Sequence, residues 1–124
     1  MAATHDISID QGASFSMYLT IKDEANEKID LSGHVFRGKI KKDLSDVTTQ
    51  ANFTFTILNQ ENESTKGMVE VILTSEVTAS IQTNARGTSR NVIKMIYDIE
   101  SVSPSGFVTR WVQGLALISP EVTK

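Results

Sequence analysis

The sequence contains no cysteine, so it can form neither a disulfide framework nor a metal site built from thiolates. Its only histidines are His5 and His34, and no serine lies in a Gly-x-Ser-x-Gly elbow. We expect each imidazole to be solvated or hydrogen-bonded locally and not to act as a general base. Neither of the common glycine-rich phosphate-binding motifs is present. The sequence therefore predicts a protein that is not an enzyme and has no catalytic residue, no cofactor and no bound metal.

Acidic residues are concentrated in two stretches that the sequence predicts to be turns, residues 23–27 and 59–66. Carboxylates on exposed turns gain neither the burial nor the close like charge that raises the pKa of a general acid. Residues 23–27 offer oxygen ligands, yet their spacing differs from the EF-hand loop and the central glycine is missing. We therefore expect polar hairpin turns, with a catalytic carboxylate pair or a calcium site as the alternatives.

Length and charge limit the function further. The 124 residues suit one domain, residues 1–124, with a single hydrophobic core. The net charge is −3, whereas a general nucleic-acid binder needs basic residues to neutralise phosphates. The N-terminus lacks the pattern of a signal peptide, and no apolar run approaches the roughly 20 residues that span a bilayer. We expect a chain made in the cytoplasm that binds neither nucleic acid nor a membrane.

Apolar and polar residues alternate with a period of two through most of the chain, which indicates half-buried strands. After Ser75 the pattern changes, and Val77 and Ile81, four residues apart, indicate a short helix capped by Ser75. The turn at residues 103–106 predicts a hairpin, and Gly114 marks an expected bulge in the last strand. About seven strands and one short helix predict an all-β sandwich or barrel. The clearest strands cover residues 14–21, 34–42, 51–58, 68–74, 92–101 and 107–118.

Two groups of basic residues are candidate partner-binding sites. One group shares the outward face of a predicted strand, and the other lies in a loop that we expect to be exposed. Either group could bind an anion or an acidic protein partner, and the alternative for the strand is protection of a sheet edge against aggregation. Trp111 is expected to pack on the core, with an outward anchor for a partner as the alternative. The candidates are Arg37, Lys39 and Lys41 in the strand and Arg86 and Arg90 in the loop.

Several short segments occur together in a characteristic order. Ile-Asp-Gln-Gly-Ala-Ser-Phe at residues 9–15 is followed by Asp-Leu-Ser-Gly at residues 30–33 and Tyr-Asp-Ile-Glu at residues 97–100. Gln-Gly at residues 113–114 then leads to Ile-Ser-Pro-Glu-Val-Thr at residues 118–123. This order resembles the small Ig-like β-sandwich virion proteins of tailed bacteriophages, and is similar to the N-terminal domain of the baseplate upper protein family.

The resemblance spans nearly the whole chain and implies an Ig-like sandwich with a structural, non-catalytic role in the virion. It implies an adaptor in the tail or baseplate that contacts other virion proteins and takes no small-molecule substrate. We expect this adaptor to be a homo-oligomer or to be present in many copies in an assembly. A head decoration or cement protein on the capsid and a carbohydrate-binding attachment module are the alternatives. Residues 1–8 are expected to form a flexible arm that could add a strand to a neighbour.

Overall fold

The computed structural model describes residues 2–83, 88 and 91–122, which form nine strands and one short helix. The candidate residues Arg86 and Arg90 lie outside the described residues. The elements in chain order are β1 (Ala3–Thr4), β2 (Ile7–Asp10), β3 (Phe15–Thr20), β4 (Val35–Lys41), β5 (Ala51–Asn52), β6 (Thr54–Ile57), β7 (Met68–Leu73), α1 (Ser75–Ala79), β8 (Ile93–Val102) and β9 (Val108–Ser119).

The strands form two sheets around one hydrophobic core. The larger sheet has the order β1-β9-β8-β4-β5, with β2 also paired to β9, and the smaller sheet has the order β3-β7-β6. Alternate side chains of both sheets point into the core, where Ile40, Val71 and Ile99 are fully buried. The predicted all-β sandwich with one short helix is confirmed.

The segment predicted as one strand at residues 51–58 is divided at Phe53. β5 pairs with β4 in the larger sheet, whereas β6 pairs with β7 in the smaller one. The Phe53 amide donates to the Gly38 carbonyl at 3.1 Å, and a Cβ on Gly38 would lie 3.0 Å from the Phe53 ring. The glycine inside β4 therefore marks the close approach of an aromatic ring, and the chain passes from one sheet to the other at this point.

The long hairpin of β8 and β9 is present as predicted, but its bulge is not at Gly114. Ile99 pairs with Val112 and Glu100 pairs with Arg110, which leaves Trp111 as the extra residue in β9. Trp111 packs against the core, and its indole Nε1 donates to the hydroxyl of buried Ser101 at 2.8 Å. The expected core position of Trp111 is therefore confirmed, and the bulge occurs where that large side chain is inserted next to Val112.

Helix α1 begins at Ser75, one residue earlier than the expected cap at Ser75 would place it. Thr74, not Ser75, is the N-cap residue, because its hydroxyl accepts a hydrogen bond from the Val77 amide at 3.3 Å. Ile81 is buried just beyond the helix, as the sequence pattern predicted. The buried Thr78 was not predicted, and its hydroxyl accepts from the Gly12 amide and donates to the Ala13 carbonyl. The helix thereby fixes the turn between β2 and β3.

The N-terminal segment differs from the expected flexible arm. Both β1 and β2 run parallel to β9 of the same chain, and the side chains of Ile7 and Ile9 are buried in the core. Their burial supplies the energy that keeps this segment on its own sheet. The addition of this strand to a neighbour would first require the β2–β9 ladder to open.

Candidate functional site

The outer face of the larger sheet contains a groove of about 670 Å³, which we call the outer groove. Strands β4, β8 and β9 form its floor, because alternate residues of each strand point away from the core. The loop after β4 lies at one side, and the N-terminal segment lies at the other. The groove is lined by Thr4, Asp6, Lys39, Lys41, Leu44, Ile96, Tyr97, Asp98, Arg110, Gln113, Gly114 and Leu115.

The strand register arranges the outward residues in rows across the sheet. Arg37 lies opposite Glu100, and Lys39 lies opposite Asp98. Lys41 lies opposite Ile96, which itself pairs with Leu115 of β9. Because neighbouring residues of one row are in contact range, each basic residue of β4 has a defined neighbour on β8. The structure therefore brings Arg37, Lys39 and Lys41 together on one face, as the alternation predicted.

Two acidic residues of β8 lie beside the basic face of β4, and each forms an ion pair with an arginine. Arg37 forms an ion pair with Glu100, and Arg110 of β9 lies 3.5 Å from Asp98. The outer groove is consequently a surface of mixed charge instead of the uniformly basic strand face that the sequence suggested. An acidic partner would have to compete with Asp98 and Glu100 for these cations. The observed charge pattern suits a partner that carries charges of both signs.

The loop at residues 42–50 adds apolar side chains beside the groove. Leu44 and Val47 are each 92% exposed, although residues of this type are commonly buried. The Asp43 carboxylate accepts hydrogen bonds from the hydroxyl and amide of Ser45, and the hydroxyl contact is the main cause that lowers the pKa of Asp43. This local turn gives the loop a defined shape, and it places Leu44 at the groove.

The N-terminal wall of the groove depends on a break between β1 and β2. The Leu115 amide of β9 donates to the Asp6 carboxylate at 2.9 Å, so the hydrogen-bond partner of this backbone amide is a side chain. The His5 carbonyl instead accepts from the hydroxyl of Tyr97, whose ring packs edge-on against Phe53 at 5.9 Å. Burial, with a smaller effect of the Asp6 charge, raises the pKa of Tyr97 to about 12. Tyr97 is therefore a neutral donor that ties the N-terminal segment to the core.

A second exposed apolar group lies at the end of the sheet next to the hairpin turn. Val35, Val102 and Val108 form one row across β4, β8 and β9. Val35 is 63% exposed and Val108 is 48% exposed, and Phe107 beside them is 72% exposed. Exposed apolar side chains that adjoin each other on a folded surface often mark contacts with another protein. The sequence did not single out these residues, because which strands are neighbours cannot be read from alternation alone.

Two of the segments that carried the family resemblance, residues 9–15 and 118–123, meet at one place in the fold. The Gln11 side chain donates to the Ile81 carbonyl at 2.8 Å and accepts from the Glu121 amide at 2.9 Å. Gly12 follows in a left-handed conformation, and a Cβ there would lie 2.2 Å from the Glu121 carboxyl group. Residues near the two ends of the chain are thus joined through Gln11, which explains the need for Gln-Gly at this position.

Within residues 2–83, 88 and 91–122, no group of three or more His, Asp and Glu side chains could hold a metal ion. In the same residues, no hydrogen bond joins either imidazole to a serine or a carboxylate. The Nδ1 of His34 is buried without a hydrogen-bond partner among the described residues, so the local hydrogen bond that was one of the two expectations is not formed at this atom. No described helix is long and apolar enough to cross a membrane.

The sequence matches no protein-family model, and no curated protein aligned with it significantly.

Proposed function

We propose that this protein is a non-catalytic structural component of a tailed-phage virion, where it acts as an adaptor in the tail or baseplate. The observation that carries the proposal is the hydrogen bonding of Gln11 to Ile81 and Glu121. It makes the motifs near the two ends of the chain parts of one structural unit. Hydrogen bonds that hold the two ends of the chain in one rigid sandwich suit an assembly component that acts through its surface.

The outer groove is the surface through which we propose that the adaptor contacts another virion protein. It combines paired charges, such as Arg110 with Asp98, with apolar side chains such as Ile96 and Leu44. Protein interfaces commonly have this mixture of an apolar centre and polar surroundings. One such surface is modest in area, so many copies in a symmetric assembly would supply the stability of attachment.

The carbohydrate-binding alternative receives less support from the groove. A sugar platform is built from exposed aromatic rings, but the aromatic residue that lines the groove, Tyr97, is only 4% exposed. The exposed rings in the described part of the chain, Tyr18 and Phe107, do not line the groove. A head decoration protein with the same sandwich remains the second candidate, because its surface requirements are the same.

Immunogold labelling of intact particles of the phage that encodes this chain tests the proposal. An antibody against the purified protein would be applied to particles, with particles that lack the gene as the control. Label at the tail or baseplate is the expected result. Label over the head would favour the decoration protein over the adaptor. If particles of phage that carry the gene bind no antibody, the virion assignment is overturned.

A further inference from the structure

The smaller sheet ends on one side at β3, and this edge has unused hydrogen-bonding groups. In the described part of the chain, β3 pairs only with β7. The Ile21 amide donates to the Gly67 carbonyl at 2.7 Å, and hydrogen-bonded pairs alternate along an antiparallel ladder. The residues that bond to β7 are therefore Phe15, Met17 and Leu19. The amides and carbonyls of the remaining residues point to the open edge, and these residues are Ser16, Tyr18 and Thr20.

The β3 edge carries none of the features that usually prevent strands from pairing. Its six residues, Phe15–Thr20, include no lysine, no other charged residue, no proline and no bulge. Tyr18 in its centre is 57% exposed. The opposite edge of the sheet, β6, is shorter, and the chain that leads into it passes over to the larger sheet at Phe53. The β3 edge is thus the longer of the two edges of the smaller sheet at which another strand could pair.

The core-facing side of β3 also retains apolar surface. Its residues Phe15, Met17 and Leu19 are only partly buried, whereas their partners on β7 are fully buried. A strand added beside β3 would cover the exposed parts of these side chains. Burial of apolar surface is the usual driving force for association, so the edge offers hydrophobic stabilisation as well as backbone hydrogen bonds.

We propose that β3 pairs with β3 of a second copy of this chain, in an antiparallel arrangement with a two-fold axis at Tyr18. This register places Ser16 opposite Thr20 of the other copy and Tyr18 opposite its own counterpart. Each of these pairs exchanges two backbone hydrogen bonds, so every unused group of the edge is satisfied. The side chains are compatible too, because hydroxyls face hydroxyls, the aromatic rings meet, and no like charges oppose each other. Such a self-complementary strand is what a two-fold dimer requires.

The result is a continuous sheet through both copies, in the order β6-β7-β3 and then the same strands of the partner in reverse. The outer groove lies on the other sheet, so the dimer would present two such grooves. The inference goes beyond the proposed function and does not rest on it. If the protein is a monomer in solution, the dimer proposal fails and the virion proposal is unaffected. If particles bind no antibody, the virion proposal fails and the dimer proposal is unaffected.

Sedimentation equilibrium of three proteins tests the dimer. The wild type is compared with Tyr18→Lys and with the matched control Thr56→Lys, because Tyr18 and Thr56 both pair with Glu70 from opposite sides. The wild type and the control should sediment at twice the chain mass of 13.6 kDa. Tyr18→Lys should raise the dimer dissociation constant at least about tenfold, because like charges directly opposite each other destabilise a strand pair. A monomeric wild type at high concentration, or equal effects of both variants, would overturn the proposal.

A crosslinking variant removes any dependence on how well Tyr18→Lys folds. The chain has no cysteine, so Tyr18→Cys introduces a single thiol. The Cα atoms of a hydrogen-bonded antiparallel pair lie about 5.5 Å apart, which is within the range that a disulfide can bridge. Mild oxidation should convert Tyr18→Cys to a covalent dimer much faster than the control Thr56→Cys. Equal rates for the two variants would contradict the proposed register.

Discussion

The His5 carbonyl oxygen lies where a side chain on Gly114 would begin, because a Cβ on Gly114 would be only 2.2 Å from that oxygen. Gly114 therefore gives the N-terminal segment room to cross β9 between β1 and β2. The same carbonyl accepts a hydrogen bond from Tyr97, the residue paired with Gly114 across β8 and β9. Three distant parts of the sequence meet at this point of the outer groove.

Substitution of Gly114 should loosen the N-terminal segment. Gly114→Ala should destabilise the protein by about 1–3 kcal/mol, because the added methyl group displaces the His5 backbone. Gly106→Ala is the matched control, since a Cβ there meets no atom within 4 Å and the cost comes only from its positive φ angle. Urea unfolding gives the free energies, and amide exchange locates the change. Faster exchange at Ile7 and Ile9 in Gly114→Ala but not in Gly106→Ala is expected, and unchanged exchange in both would contradict the contact.

Alkaline pH should destabilise the protein through Tyr97. Its pKa is about 12 when folded and 10.0 in the unfolded reference, so the folded state favours the neutral phenol. This stabilisation is complete below pH 10 and is lost as the pH rises towards 12, by about 3 kcal/mol at most. Urea unfolding of wild type and Tyr97→Phe across this range measures the loss.

The variant Tyr97→Phe should be less stable than the wild type by about 1 kcal/mol at neutral pH, because the His5 carbonyl loses its donor. Its stability should fall less steeply at high pH, because the titrating hydroxyl is absent. The control Tyr18→Phe, which removes a phenol outside the core, should retain the steep fall of the wild type. Parallel pH profiles for Tyr97→Phe and the wild type would show that Tyr97 is not the cause.

The hydrogen bonds of Gln11 should contribute measurably to stability. Gln11→Glu replaces the amide that donates to the Ile81 carbonyl by an acceptor, which leaves a carbonyl of a buried residue unsatisfied. The expected loss is about 1–3 kcal/mol by urea unfolding. Gln82→Glu makes the same chemical change at an exposed position and should alter the stability by less than about 0.5 kcal/mol. Equal losses in the two variants would remove the structural role assigned to Gln11.

Charge reversal in the outer groove should separate binding from stability. Lys39→Glu places a second carboxylate opposite Asp98, at a cost of less than about 1 kcal/mol. If the groove contacts another virion protein, phage that carry Lys39→Glu should incorporate less of the chain into particles. Lys22→Glu is the control, since Lys22 lies in the hairpin after β3, away from the groove. Quantitative immunoblots of purified particles measure incorporation, and equal incorporation of both variants would count against the groove.

Alternation predicted those parts of the fold that depend on which face of a strand is buried. It placed β4 close to its observed bounds and put Arg37, Lys39 and Lys41 on one face. It could not locate the sheet change at Phe53 or the bulge at Trp111, because both arise from contacts with residues distant in sequence. Gly114 was recognised as irregular, but the reason is the His5 backbone and not a bulge.

The outer groove could be predicted only in part, because its composition also depends on contacts between residues distant in sequence. The cations of β4 are visible in one segment, whereas Asp98 and Glu100 lie opposite Lys39 and Arg37 only because β8 is the neighbouring strand. Strand order was not predictable from periodicity, so the mixed charge of the groove could not be anticipated. The roles of Arg86 and Arg90 stay predictions. The Val35–Val102–Val108 row likewise becomes visible only once the register is known.

The measurement that tests the account most directly is lysine crosslinking of intact phage particles followed by mass spectrometry. We propose that the chain is built into the virion through its outer groove. Lys39 and Lys41 should therefore crosslink to a different virion protein, whereas Lys22 and Lys28, in the hairpin after β3, should not. Crosslinks to other virion proteins from Lys22 and Lys28 alone, or no such crosslink from any lysine of this chain, would contradict it.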